Sequence, residues 1–199
     1  MNLEQNILKQ AETLFMKYGV KSVTMDDIVR EMGISKKTLY QLYDNKAALI
    51  KQVICNHLED EHCQFENLHA SSANAIEEIL KVARHVVQQL KHISSNVVFD
   101  LRKYYRESYD LLESMNRKYV YQSIRSNIEW GQKEGLYLAD IDADIISKLY
   151  SGRAFMITDE TLFPESQYDK EKLLKQYFFY HIRGIASQKG LKLLEEYSK

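Results

Sequence analysis

Thr24–Lys46, TMDDIVREMGISKKTLYQLYDNK, reads as two short helices joined by a tight turn, with a third helix starting just beyond. Thr24 has the side chain of an N-cap, and Asp27 three positions on completes a capping-box pattern. Ile28 and Met32 then recur at helical spacing and give the first helix one apolar side. Gly33 stops it, because the position after a helix C-terminus often needs a positive φ. Ile34 is the apolar plug of the turn, and Ser35 is the natural N-cap of the next helix. That helix is expected to bury Leu39 with either Leu42 or Tyr43, and to turn Lys36, Lys37, Thr38, Tyr40 and Gln41 outward. A short helix with cations, hydroxyls and an amide near its N-terminus, presented by a helix-turn partner, suits a DNA major groove. The competing reading is an ordinary solvated helix face and, for Tyr40, a core aromatic.

The surrounding chain limits what such a pair can belong to. It has 199 residues, 45% of them apolar and 28% charged, which is enough to build a packed core. One proline and seven glycines in that length argue for long helices rather than many strands joined by turns. The net charge of −1 does not advertise a nucleic-acid binder, so any DNA affinity must be local. Residues 1–51 carry eight Lys/Arg and six Asp/Glu, a surplus of only two. Position matters more: Asp26, Asp27 and Glu31 lie on the first helix of the pair, and Lys36 and Lys37 on the second. Phosphate neutralisation would rest on few lysines, hydroxyls and helix N-termini.

The opening residues MNLEQNILKQ show no basic-then-apolar export signal, and no apolar run reaches the roughly 18 residues of a membrane span. Cys55 and Cys63, about 12 Å apart along one expected helix, are too far apart for a disulfide bond. Free thiols fit a reducing compartment, so a cytoplasmic location and no membrane partner are expected.

Residues 3–18 form an amphipathic helix with Ile7, Ala11, Leu14, Phe15 and Tyr18 on or near one face, and Gly19 ends it. Val20 and Val23 are expected to tuck under the pair. This helix supplies the core that a bare helix-turn-helix lacks. Ala11, Leu14 and Phe15, Tyr18-Gly19, Val23-Thr24, Ile28, Gly33-Ile34-Ser35, Leu39-Tyr40, Tyr43, and Lys46 with Leu49 together resemble the N-terminal domain of the tetracycline-repressor (TetR/AcrR) family of bacterial transcriptional regulators. The resemblance covers about the first 50 residues and does not extend into residues 51–199. It implies a three-helix head whose third helix enters the major groove. By position it implies DNA contacts from Ser35, Lys36, Lys37, Thr38, Tyr40, Gln41 and Lys46, with Thr24 on a phosphate. Many members carry glycine or alanine where Lys37 stands, and an aromatic-His-Phe run where Gln41-Leu42-Tyr43 stands. Lys37 and Gln41 would then read different bases, and the operator cannot be borrowed from a relative.

Past the head, Asp44 is expected to cap a long helix from Asn45 to about Asn67, with a break over Leu68–Ser72. Asn74 with Glu77 reads as a capping box opening a helix to about Ile93. Ser94–Asn96 breaks it, Val97–Tyr105 is a short apolar helix, and a tyrosine-rich stretch follows. A long helix is expected over Asp110–Lys133, ending at Gly135. Asp140 or Asp142 caps a helix over 143–159. Phe163-Pro164-Glu165 is a loop, Ser166 with Asp169 caps a helix over 168–187, and a charged tail closes the chain. The fold expected is therefore all-α, with about nine helices: a helix-turn-helix head over 1–46 and a larger helical bundle over 47–199.

Three further sets of residues carry expectations. Leu149, Gly152, Phe155 and Met156, with Tyr177, Phe178, His181, Ile182 and Ile185, give the last two major helices wide apolar sides. Paired with their copies they would form an isologous four-helix interface, the homodimer that the resemblance also implies; the competing reading is a single internal core. Phe99, Arg102, Tyr105, Tyr109, Trp130, Tyr150 and Arg153 are candidates for a small-molecule effector site between helices, against simple core filling and solvated arginines. Cys55, Glu59, His62, Glu66 and His69 form a stripe with metal-ligand spacing, against a polar solvated face.

No Gly-rich phosphate loop, GxSxG or HExxH is present. No catalytic residue, cofactor or resident metal is expected. The reading is a dimeric one-component transcription factor, a repressor on a palindromic operator that an unidentified effector releases. The alternatives are a helical ligand-binding protein or enzyme not using DNA, and an activator of the same build.

Overall fold

The computed structural model describes residues 2–90, 95–153, 156–157, 159, 161–164 and 166–197. Among them the chain is all-helical: α1 (Leu3–Tyr18), α2 (Met25–Met32), α3 (Lys36–Leu42), α4 (Lys46–Ala70), α5 (Ala75–Leu90), α6 (Ser95–Tyr104), α7 (Arg106–Lys133), α8 (Ala143–Arg153), α9 (Lys170–Ile185) and α10 (Gln188–Tyr197). The one extended pairing described is an isolated bridge between Tyr137 and Ala186.

The chain divides into two compact units, Met1–Glu61 with His92–Met115, and His62–Lys91 with Asn116–Lys199. The first unit thus takes in the start of α4, α6 and the start of α7 as well as residues 1–46. Its interior is built from Ile7, Ala11 and Phe15 of α1, Val20 and Val23 of the following loop, Ile28 of α2, Leu39 of α3, and Leu49 and Ile50 of α4. Val97 and Leu101 of α6 are buried as well. Tyr18, expected near the apolar face of α1, is exposed, because it lies at the end of the helix with the Lys17 ammonium over its ring.

In the same unit His57 of α4 meets Glu12 of α1, with Nδ1 and Oε1 2.7 Å apart. The Glu12 hydrogen bond holds the imidazole above its ordinary value despite burial, with Glu61 and Asp60 adding to the effect. A raised folded-state pKa means the pair stabilises fully below the unfolded value of 6.5, and that contribution fades as pH rises through the folded value. The gap in thermal midpoint between wild type and His57→Ala should therefore be widest below pH 6.5 and shrink on the alkaline side. A gap that widened with pH would contradict the assignment.

The second unit packs α5 against α9 and α10. Ile76, Ile79, Ile128, Leu174, Phe178, Ile182, Ile185 and Leu194 join in one core. Phe178, Ile182 and Ile185, expected at a dimer surface, are therefore used inside their own chain, and the wide apolar side of α9 is consumed by α5. Within this core Asn127 donates to the Glu78 carboxylate (2.7 Å) and to the Ala75 carbonyl (2.9 Å), and accepts from the Tyr137 hydroxyl (2.8 Å). Every polar group of that buried set has a partner, as a dry interior requires.

Several boundaries differ from expectation for identifiable reasons. Asn45, not Asp44, caps α4, its side chain accepting from the Ala48 amide, and α4 continues through Leu68 to Ala70. Asn74 caps α5 by accepting from the Glu77 amide, but Glu77 returns to the Ala73 amide rather than to Asn74, so the box is displaced by one residue. Ile93 and Ser94 lie outside the described residues, and Ser95 and Asn96 are helical rather than a break. The tyrosine-rich stretch is not a connector, for α7 already begins at Arg106. Asp142 is the cap of α8, accepting from the Ile145 amide, and that helix is described only to Arg153. Asp169 alone caps α9 through the Lys172 amide. The closing tail is a tenth helix: Gly190 sits so close to the Leu136 carbonyl that a Cβ there would overlap it, and Leu194 is buried.

Candidate nucleic-acid interface

The turn between α2 and α3 is built as its residues dictate. The Thr24 side chain accepts from the Asp27 amide, and Asp27 accepts from the Thr24 amide at 2.9 Å and from its hydroxyl at 2.6 Å. Gly33 takes φ 63° and ψ 28°, the left-handed region where a Cβ would strain the backbone. Its amide and that of Ile34 close the end of α2 on the Arg30 and Val29 carbonyls. Ser35 caps α3, its Oγ accepting from the Thr38 amide at 3.1 Å.

Two residues fix α3 to the head. Leu39 is fully buried and Tyr43 is 3% exposed, whereas Leu42 is 42% exposed, so Tyr43 is the second anchor. The Tyr43 hydroxyl is buried without a hydrogen-bond partner among the described residues, and burial pushes its pKa to about 12. That phenol stays neutral and apolar in effect.

The outward side of α3 divides by availability. Lys37, Tyr40 and Gln41 are exposed and make no hydrogen bond or ion pair among the described residues; Tyr40 is 47% exposed. Lys36 is exposed but its Nζ reaches the Asp26 carboxylate at 2.7 Å. Ser35 and Thr38 are joined through their hydroxyls at 2.8 Å. Thr24 is engaged by Asp27. Lys46 is half-buried; its Nζ donates to the Lys21 carbonyl at 3.2 Å and lies over the Tyr105 ring. Desolvation lowers its pKa against the pull of Asp100 and Asp27. A hydrated surface side of three free side chains thus stands between two lysines already in use.

The remaining candidates are spread through the chain. Phe99, Arg102, Tyr105 and Tyr109 fall in the first unit, and Trp130, Tyr150 and Arg153 in the second. Phe99, Arg102 and Arg153 are exposed. Tyr150 is buried in an aromatic group, its ring centroid 4.3 Å from His181 and 5.0 Å from Tyr177. Burial lowers His181 to about 4, so that ring is neutral at ordinary pH. Leu149 and Met156 are exposed, Gly152 has open space where a Cβ would stand, Tyr177 and His181 are half-buried, and Phe155 lies outside the described residues.

The histidine stripe is taken up residue by residue. His62 stacks on Tyr119, and His69 meets the buried Glu78 carboxylate at 2.9 Å and the edge of Trp130. No group of three metal-ligating side chains occurs among the described residues. Cys55 and Cys63 are free thiols. Among the described residues no helix is long and apolar enough to cross a membrane.

Residues 7–53 match the family model described as bacterial regulatory proteins, tetR family. The chain is 23% identical to the HTH-type transcriptional repressor KstR2 of Rhodococcus jostii over 187 residues, covering 91% of this chain and 90% of that one. A transcriptional regulator from Cytophaga hutchinsonii superposes with a TM-score of 0.76 at 18% identity, over 92% of this chain and 98% of its own. FadR from Bacillus subtilis, solved with stearoyl-CoA, does so at 0.68 and 15% identity, over 91% and 98%. The matched segment is the one whose caps, glycine turn and exposed third helix are described above: the chain carries a segment of the tetR family of bacterial regulatory proteins over residues 7–53 and is similar over most of its length to transcriptional regulators.

Proposed function

We propose that the chain is a homodimeric repressor that reads a palindromic operator in double-stranded DNA through α3 and is released by a small-molecule effector. The observation that carries the reading is the division of α3: Leu39 and Tyr43 hold it to the head while Lys37, Tyr40 and Gln41 stay solvated and unpaired. Lys37 and Gln41 have the donor sets that read guanine and adenine edges in the major groove. Lys36 joins them once it exchanges Asp26 for a phosphate. Ser35 and Thr38 contact the backbone where their hydroxyls face it, and Thr24 and Lys46 serve the edge of the site.

The dimer rests on the exposed parts of α8 and α9. Ile145, Leu149 and Tyr180 are more than half exposed, the last at 74%, and Gly152 and Gly184 leave room for close approach. Two heads related by a twofold axis then read two half-sites. The effector site belongs to the second unit, near Trp130 and the Tyr150 aromatic group. FadR's stearoyl-CoA is a property of that protein and does not name this effector. A reducing, cytoplasmic setting suits the free thiols and the DNA partner.

The test is a gel shift on the duplex upstream of the protein's own gene at two salt concentrations. Wild type should bind with strong salt dependence, and Lys36→Ala with Tyr40→Ala should weaken binding by roughly 1–3 kcal/mol per lost contact. Equal binding by wild type and the double variant would remove α3 from the interface.

A further inference from the structure

Residues 102–106 read Arg-Lys-Tyr-Tyr-Arg, three cations and no acid in a chain of net charge −1. The run ends α6 and opens α7, and it falls in the same unit as α1–α3. Its placement there is specific. Asp100, buried on α6, accepts from the Lys21 amide at 2.7 Å, which fixes α6 to the loop between α1 and α2. The Tyr104 hydroxyl accepts from Lys21 Nζ at 3.0 Å, and the same ring lies under both Lys21 and Lys103. The Lys46 ammonium reaches the Lys21 carbonyl and the Tyr105 ring. Lys21 therefore stands at the centre of a surface that runs from Lys46 to the exposed Arg102 and Lys103.

Asp100 is turned inward and already accepts a hydrogen bond from the Lys21 amide, and Arg106, followed by Glu107, is paired with Asp110 at 2.9 Å; the cations left to the outer face are Lys21, Arg102 and Lys103. The positive field is felt by Tyr104, whose phenol is held below its usual pKa by the Lys21 hydrogen bond and, against desolvation, by Lys103. Lys21 also lies three residues before Thr24, the residue assigned to the phosphate edge of the head. Lys21, Arg102 and Lys103 are in no ion pair among the described residues, Lys21 and Lys103 stand on an aromatic footing, and the three match a row of phosphates.

We infer that the Arg102–Lys103 corner, with Lys21, is a second DNA contact that grips the phosphate backbone flanking the base-reading site. It rests on the DNA reading above but assigns residues that α3 does not supply. Such a contact adds affinity and salt dependence without adding sequence preference.

Fluorescence anisotropy of the full-length chain over a salt series tests it, with the upstream duplex and a scrambled duplex of equal length as probes. Arg102→Gln/Lys103→Gln should weaken binding to both probes by the same factor. It should flatten the plot of log affinity against log salt by up to about two, since each phosphate contact contributes about 0.9. The charge-conserving pair Arg102→Lys/Lys103→Arg should keep the wild-type slope. Should the neutral pair not fold, Lys103→Gln alone, on an exposed side chain, should flatten the slope by about one. A neutral variant with the wild-type slope overturns the inference and leaves the α3 reading intact. A wild type that binds neither probe with salt dependence overturns both.

Discussion

Leu39→Ala is expected to destabilise the first unit by about 2–5 kcal/mol, the cost of emptying a buried leucine site that cannot collapse. Leu39 is fully buried and, with Tyr43, one of the two residues that bind α3 to the head. A helix of seven residues does not persist without packing. Its loss should therefore appear twice, as a lower thermal midpoint and as lost discrimination between the upstream and a scrambled duplex. Gln41→Ala, two positions on and exposed, should stay within about 0.5 kcal/mol of wild type in stability. Similar melting of Leu39→Ala and wild type would mean that α3 is held by something other than this contact.

Asn127→Ala should be comparably damaging in the second unit. Asn127 is 3% exposed and Glu78 4%, and the amide of one is a hydrogen-bond donor to the carboxylate of the other. Truncation also strips the Ala75 carbonyl of a donor and the Tyr137 hydroxyl of its closer acceptor. Burial and the neighbouring Glu78 and Glu134 hold the Tyr137 phenol far above its usual range, so it cannot ionise to relieve the loss. Each orphaned group costs about 1–3 kcal/mol, and more when charged. His69 still reaches Glu78 and offsets part of that cost. Urea unfolding should show a lower midpoint. A shift under about 0.5 kcal/mol would mean that water satisfies the network in solution.

The head was legible because its signals are local. Thr24 with Asp27, Gly33 at φ 63° and Ser35 each act within four residues, and the sequence shows all of them. The choice between Leu42 and Tyr43 needed the structure, since both lie near the apolar side and only packing decides which is covered. The cap of α4 lies one residue from the expected one because the Asn45 side chain, not that of Asp44, accepts from the Ala48 amide. The second unit was harder to read. α9 has an apolar side wide enough for a core or a partner, and its period cannot tell which. Phe178, Ile182 and Ile185 are buried in the core of their own unit, and Ile145, Leu149 and Tyr180 are large exposed apolar side chains of α8 and α9. α10, expected from sequence as a charged tail, carries Leu191, Leu193, Leu194 and Tyr197 among its charges, and what places it is the close approach of Gly190 to the Leu136 carbonyl.

The arrangement around α3 also shows what sequence position alone conceals. Thr24, Lys36 and Lys46 match the residue types of DNA contacts, yet each already has a partner: Asp27, Asp26 and the Lys21 carbonyl. On the proposed reading, their engagement leaves Lys37, Tyr40 and Gln41 as the free side chains for base reading. Arg102 and Tyr105, expected from sequence at an effector site, belong to the same unit as the head. The Asp100–Lys21 hydrogen bond ties α6 to the head across 79 residues of chain, which no local pattern announces.

The central claim is that Lys37 and Gln41 read bases. The direct measurement is the affinity of wild type and Lys37→Ala/Gln41→Ala for the upstream duplex and for a set of single base-pair changes across it. Wild type should lose about 1–3 kcal/mol at particular positions in each half-site, and the double variant should become indifferent to some of those same positions while keeping its salt-dependent affinity. If the double variant distinguishes every base pair as wild type does, α3 is not the reading element.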